Sequence, residues 1–313
     1  MSNRLKPPII LFGNTRSGTT IVQKVLAEHP DVAQWYEPRT LWLCADPGRR
    51  HDEFEASDAT DKAKEYVRKQ FLKFQQQNGN CIVMEKTPAN ILKIPYVREI
   101  FPEATFMFIV RNPFSFISSV EMKWQKPVTH KGIKRRLAFT PASQLHHYAG
   151  RLIRDQFYKK VLKRKYLAVW GPRYKGIEQD LKTHELLTVI ARQWAIPSHK
   201  AARDLARFDD GQVLRLKYED FVVDPIADME RICAHCGLEM NSGIAKAAKD
   251  WVKPDRQDKW RRFDPHELAC IVPEIESEMQ HHGYELPPEI GEVMQNLQRE
   301  HQVKTSALVG QVS

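Results

Sequence analysis

Cysteine is scarce in this 313-residue chain: Cys44, Cys81, Cys233, Cys236 and Cys270 are scattered, without the spacing of a disulfide framework. Cys233-Ala-His-Cys236 has Cys-x-x-Cys spacing, but no second ligand pair stands at a suitable distance, and His281-His282 is a poor substitute. Met229, Ile232 and Cys236 fall on one helical stripe, which puts Cys236 in a core rather than on a metal. No metal site is expected. Long apolar runs are missing too, since nothing approaches the ~20 residues that a membrane-spanning helix needs. Near the start the apolar run is only Ile9 to Phe12, so no secretory signal is visible and a cytoplasmic location is expected. There is no internal repeat and no long low-complexity segment. With 42% hydrophobic residues the chain can still bury a substantial core, as one large α/β domain with insertions or as two small domains.

The most informative stretch is residues 9–20. Ile9 to Phe12 form a buried strand, Gly13 and Gly18 bracket a tight loop, and Thr19-Thr20 opens a helix with Ile21, Val22, Val25 and Leu26 at helical spacing. Strand, glycine-bracketed loop and helix start together make a phosphate cradle, in which loop N–H groups converge on an anion at the positive end of the helix. Gly-x4-Gly is the spacing of a nucleotide-triphosphate loop, but Thr19 stands where that loop carries its lysine. The positive charge sits inside the loop instead, at Arg16. That absence argues against an NTPase or kinase and leaves a phosphate site whose ligand the loop alone does not name.

Arg16-Ser17-Gly18-Thr19-Thr20 resembles the 5′-phosphosulfate loop of sulfotransferases that use 3′-phosphoadenosine 5′-phosphosulfate. A second segment, residues 105–120, resembles that family's 3′-phosphate signature, with Arg111 at a strand end, Pro113 opening the next helix and Ser119 eight residues after the arginine. A phosphate monoester suits a forked cation beside a hydroxyl donor, which this pair supplies. Val83 to Pro88 is similar to the strand ending in a lysine that faces the sulfuryl group, here Lys86. Residues 213–221 resemble the late strand with its Tyr-Glu-Asp exit at Tyr218, and Lys259-Trp260 resembles the C-terminal loop that closes over the donor.

The resemblance implies a single sulfotransferase domain over 1–313 of P-loop nucleotide-kinase type: α/β, with a central parallel sheet flanked by helices. It implies that 3′-phosphoadenosine 5′-phosphosulfate is the co-substrate and that no metal is required. Donor-binding residues carried over from the family are Arg16, Ser17, Gly18, Thr19, Thr20, Arg111, Ser119, Tyr218, Lys259 and Trp260, and the catalytic cations are Arg16 and Lys86. The small-molecule branch places a basic histidine two residues after the lysine, but Pro88 stands there. Tyrosylprotein and several carbohydrate members use a carboxylate downstream of the first helix. Glu37, twenty-one residues after Arg16, has the spacing of the tyrosylprotein members and is expected to be the general base.

Elsewhere, Ala63, Val67, Phe71 and Phe74 predict a helix over 56–77 capped by Ser57 or Asp58. A strand over 81–84, a helix over 89–100, a strand over 105–110 and a helix over 225–236 capped by Asp224 follow. The middle is different. Between Met122 and Gly176 stand fifteen Lys/Arg against one acid, Asp155, with eight aromatic residues interleaved. Such an imbalance repels itself unless an anion relieves it. A basic, mainly helical insertion over 122–200 is therefore expected either to bind the acceptor or an anionic membrane surface or to be a solvated basic face, with nucleic acid not expected. The missing histidine base and the long basic insertion favour a glycan or glycolipid hydroxyl as acceptor. A protein tyrosine or small molecule, a kinase-like phosphotransfer and a non-enzymatic polyanion binder are the alternatives. Trp35, Tyr36, Trp42, Trp170 and Trp194 suit either sugar stacking or core packing.

Overall fold

Five short strands, each bearing buried apolar side chains, make the frame: β1 (Ile9–Gly13), β2 (Val32–Tyr36), β3 (Ile82–Lys86), β4 (Thr105–Val110) and β5 (Val213–Lys217). A computed structural model describes residues 4–124, 170–254 and 258–309 of the chain, with side chains as far as residue 299. The strands join in the order β2-β3-β1-β4-β5, and every pair is parallel. Parallel neighbours require crossovers, so both faces are covered by helices.

Period-2 alternation sends Ile10 and Phe12 of β1 to one face and Ile9 and Leu11 to the other. The first face packs under α2 (Asp61–Gln77), α3 (Ile94–Ile100), α4 (Pro113–Trp124), α5 (Ile177–Thr183) and α6 (Leu186–Leu205). The second packs under α1 (Thr19–Leu26), α7 (Tyr218–Val223), α8 (Pro225–His235) and α9 (Ser242–Trp251). Helices α10 (Pro265–Ala269), α11 (Val272–His281) and α12 (Pro288–Val309) end the described chain, α11 against α6. Among the described residues no helix is long and apolar enough to cross a membrane.

Several boundaries differ from expectation. Helix α2 starts at Asp61, not at 56, because Thr60 Oγ1 accepts from Ala63 N (3.3 Å) while Asp58 is held by both terminal guanidinium nitrogens of Arg49 at 2.8 Å. Residues 56–58 form a separate 3-10 turn. The helix expected over 89–100 breaks at Lys93 into a 3-10 turn (Pro88–Leu92) and α3, whose second residue is Pro95. Strand β2 was not expected at all. Cys233 rather than Cys236 is the buried cysteine of α8, although burial pushes the half-buried Cys236 thiol up to about 12.

The insertion expected over 122–200 ends earlier. Tyr174, Ile177, Val189, Ile190 and Trp194 are all buried in the main core, so the chain from about residue 174 is framework. The bulk of the basic run, residues 125–169, lies outside the described residues.

Candidate active site

All five strands run the same way, so their C-terminal ends form one edge, where ligands bind in open α/β sheets. On that edge stand the loop after Gly13, Glu37 after β2, Lys86 closing β3, Arg111 after β4 and Tyr218 after β5. The register Tyr36↔Lys86 and Val110↔Lys217 levels four of these ends in neighbouring pairs.

The loop Asn14–Gly18 is shaped by two left-handed residues, Arg16 (φ 62°) and Gly18 (φ 86°). Asn14 braces it from both sides: its Oδ1 accepts from Thr15 N (2.9 Å) and its Nδ2 donates to Gln193 O (2.7 Å). Gly18 caps α1 without any side-chain cap on the first helical N–H groups. Ser17 Oγ is buried and has no hydrogen-bond partner among the described residues, so it is a donor available to an anion in the loop. These features fit a 5′-phosphate.

Gly18 also has a steric reason. A Cβ there would lie 2.2 Å from the Tyr218 ring, whose near carbons fill the space. The Arg111 guanidinium carbon sits 4.5 Å from the centroid of the same ring, so Tyr218 connects loop and arginine. Arg111 NH1 donates to Arg16 O (2.8 Å), and Trp194 Nε1 donates to Arg111 O (2.8 Å). Burial lowers the Arg111 pKa, yet a guanidinium keeps its charge at any physiological pH. Arg16 Nε donates to Ser119 Oγ (2.9 Å), which brings the two sequence signatures into contact. Gly18→Ala is expected to push Tyr218 off Arg111 and to weaken adenosine 3′,5′-bisphosphate binding about tenfold or more, through left-handed strain of ~1–3 kcal/mol plus the lost ring position. Calorimetry on the variant checks this, and unchanged affinity would show that the ring position is irrelevant to the donor site.

The second cluster centres on Lys86, whose side chain is only 1% exposed. Its Nζ donates to Glu37 Oε1 (2.6 Å) and Thr20 Oγ1 (3.0 Å) and lies 4.6 Å from the Tyr36 ring centroid. Glu37 is 26% exposed and is held at φ 49°, a left-handed conformation that a glutamate adopts only under constraint. Behind Lys86, burial raises the Glu85 carboxyl to about 7, and Thr87 Oγ1 (2.5 Å) and Asn90 Nδ2 (3.1 Å) donate to it. Glu85 thus anchors the strand end from the core side.

Lys259 and Trp260 stand apart from this cluster in the described contacts. Trp260 is buried with its ring 5.5 Å from Phe114, and Lys259 is exposed. Their turn packs on α4 through Arg262, which donates to Ser118 Oγ (3.3 Å) and Glu121 Oε2 (2.7 Å). Of the aromatics open to either role, Trp35, Trp42 and Trp194 are core residues, which removes them as sugar platforms. Tyr36 and Trp170 remain half-buried. Sequence reasoning missed Glu219, which accepts from Asn112 N (3.1 Å) and Tyr284 OH (2.8 Å) and so fixes the turn after Arg111. Among the described residues no group of His, Cys, Asp or Glu is placed to hold a metal ion.

The model of the sulfotransferase family matches residues 7–171 and 152–242. The chain belongs to the sulfotransferase family. Among curated relatives of this family member, nodulation protein NoeE of Sinorhizobium fredii is 27% identical over 145 residues, 41% of this chain and 35% of that protein. Protein-tyrosine sulfotransferase 1 of Danio rerio is 28% identical over 134 residues, 38% of this chain and 36% of that protein. The matched segments therefore span about a third of those relatives. The fold is also that of the sulfotransferase domain from the curacin biosynthetic pathway (TM-score 0.55, 13% identity, 91% of this chain and all of that one). The sulfotransferase domain of the Synechococcus PCC 7002 olefin synthase is similar (TM-score 0.52, 15% identity, 91% and 97% covered).

Proposed function

We propose that the chain moves a sulfuryl group from 3′-phosphoadenosine 5′-phosphosulfate to a hydroxyl of a saccharide or glycolipid. The observation that carries the reading is the Lys86–Glu37 pair, a buried cation and a half-exposed carboxylate 2.6 Å apart, on the same sheet edge as the phosphate loop. The donor supplies an activated sulfur: the acceptor oxygen bonds to it while the bond to the 5′-phosphate oxygen breaks and leaves its electron pair on that oxygen. The loop N–H groups and Ser17 Oγ hold the 5′-phosphate, with Arg16 beside them. Arg111 and Ser119 take the 3′-phosphate, and Tyr218 keeps Arg111 in place. Lys86 neutralises charge that develops on the leaving side, and Glu37 receives the acceptor proton. Lys259, exposed on the turn packed on α4, is assigned to the donor by the family resemblance alone, while Trp260 serves that turn as its core anchor. The basic run between Met122 and Gly176 gathers an anionic acceptor or membrane surface outside the described residues, consistent with a cytoplasmic enzyme peripheral to a membrane.

A second reading has a specific finding behind it. Protein-tyrosine sulfotransferases of Danio rerio and Drosophila melanogaster match at 28% identity each, which supports a tyrosine hydroxyl as the alternative acceptor. Incubation with labelled donor and separate saccharide, lipid and tyrosine-peptide fractions decides between them. Label in peptide alone would overturn the saccharide assignment.

The donor is tested apart from the acceptor. Arg111→Ala is expected to erase most of the preference for adenosine 3′,5′-bisphosphate over ADP, because a charge-assisted contact is worth ~1.5–3 kcal/mol, or about ten- to hundredfold. If calorimetry on the unsubstituted protein shows equal affinity for the two nucleotides, the donor assignment fails.

A further inference from the structure

Glu37 sits in a strained turn, and something must hold it there. Two residues on, Arg39 donates its backbone N–H to Glu37 O (2.8 Å), closing the turn. Its guanidinium NH2 reaches inward to Asp52 Oδ2 (2.9 Å) and Gly171 O (3.1 Å). Asp52 in turn is fastened to a second segment: its N–H donates to Arg173 O (2.7 Å), and its Oδ2 accepts from Arg173 N (2.8 Å).

The 170–173 segment is pinned on its other side to the phosphate loop. Gln193 Nε2 donates to Trp170 O (2.8 Å) and Pro172 O (3.1 Å), while Gln193 O accepts from Asn14 Nδ2 (2.7 Å). Gly171 is left-handed (φ 89°), and a Cβ there would press on Thr15 at 3.3 Å. The Glu37 turn and the phosphate loop are therefore tied together through 170–173, with Asp52 as the junction. Asp52 is 2% exposed. Burial raises its carboxyl, but the charges of Arg39, Lys93 and Arg173 outweigh that and hold it at about 2, so the junction is a permanent anion.

We propose that Asp52 is a positioning residue for Glu37: through Arg39 it fixes the turn that carries the base and sets that turn's distance from the phosphate loop. The inference rests on Glu37 being the base, and it adds a residue that touches neither substrate. A shift of about 1 Å in a reacting group costs up to ~10²-fold in rate, so the clamp acts on turnover rather than on affinity.

The test is a double-mutant cycle on the full chain with D52N, E37Q and the D52N/E37Q pair. D52N keeps an oxygen for the Arg173 N–H and removes the charge that holds Arg39. The expected result is a kcat lower by about 10–100-fold, with acceptor KM and adenosine 3′,5′-bisphosphate affinity within about twofold of wild type. In the E37Q background D52N should cost nothing further, because there is no base left to misplace. A merely structural role predicts the opposite, a loss that multiplies with E37Q or that tracks a lower melting temperature and weaker nucleotide binding. Either of these, or wild-type kcat in D52N, overturns the inference while the Glu37 assignment stands. Wild-type turnover in E37Q alone overturns both. Should D52N fail to fold, R39K alone and with E37Q makes the same comparison, since lysine keeps the charge and its shorter side chain lacks the guanidinium NH2 that bonds both Asp52 and Gly171.

Discussion

Glu37→Gln is expected to lower turnover about 10²–10⁴-fold while leaving product-nucleotide affinity near wild type. Glutamine has the same length, and its amide oxygen can still accept from Lys86, which now bonds Glu37 Oε1 at 2.6 Å. What it loses is the ability to take a proton. The loss should shrink along a series of phenols of rising acidity, since a nitrophenol needs less help in deprotonation than a sugar hydroxyl. Rate against acceptor acidity is the measurement, and a steeper slope in the variant identifies a general base. A glutamine variant with normal turnover would move the role elsewhere. His29 is not a ready substitute, because it is buried and its Nδ1 accepts from Asp31 N (3.1 Å).

The residues on the sheet edge were legible because each follows a strand whose local pattern is written in consecutive residues. Arg16, Lys86 and Arg111 sit where an apolar run stops and a glycine or proline begins a new element, which short-range sequence shows. Strand β2 was hidden by its polar Gln34 and by its place at the edge of the sheet, and Glu37 at its end was singled out only because its spacing from Arg16 resembles that of the tyrosylprotein members. Helix α2 was misplaced at its start because Ser57, Asp58 and Thr60 can all cap, and only the Arg49 side chain shows that Asp58 is already engaged. Trp42 and Trp194 read equally as platforms or as core until the packing around them was known. The Asp52 junction was illegible for a deeper reason: its partners Arg39 and Arg173 lie 13 and 121 residues away, and no local pattern records that meeting.

Lys86→Ala is expected to lower turnover about 10²–10³-fold with little change in product-nucleotide affinity, the signature of charge stabilised mainly in the transition state. Alanine also opens a cavity and removes the Lys86 charge from beside Glu37, so truncation alone mixes two effects. Lys86→Met separates them, because the thioether keeps the buried stem's volume against Tyr36 and removes only the charge. Glu37 is 26% exposed, so water can solvate it when the Lys86 ammonium goes, and the stability loss should be far below that of a fully buried broken pair. If the methionine variant folds with a near-normal melting temperature, binds adenosine 3′,5′-bisphosphate as before and turns over as slowly as the alanine variant, the charge is the catalytic element. Lys86→Arg should then recover only part of the rate. The Thr20 hydroxyl at 3.0 Å and the Tyr36 ring at 4.6 Å leave a space shaped for one ammonium, and a planar guanidinium does not fit it. A methionine variant that binds nucleotide more weakly in step with its turnover would instead make Lys86 a ground-state anchor of the phosphate, and the charge on the leaving side would then have to be met by Arg16.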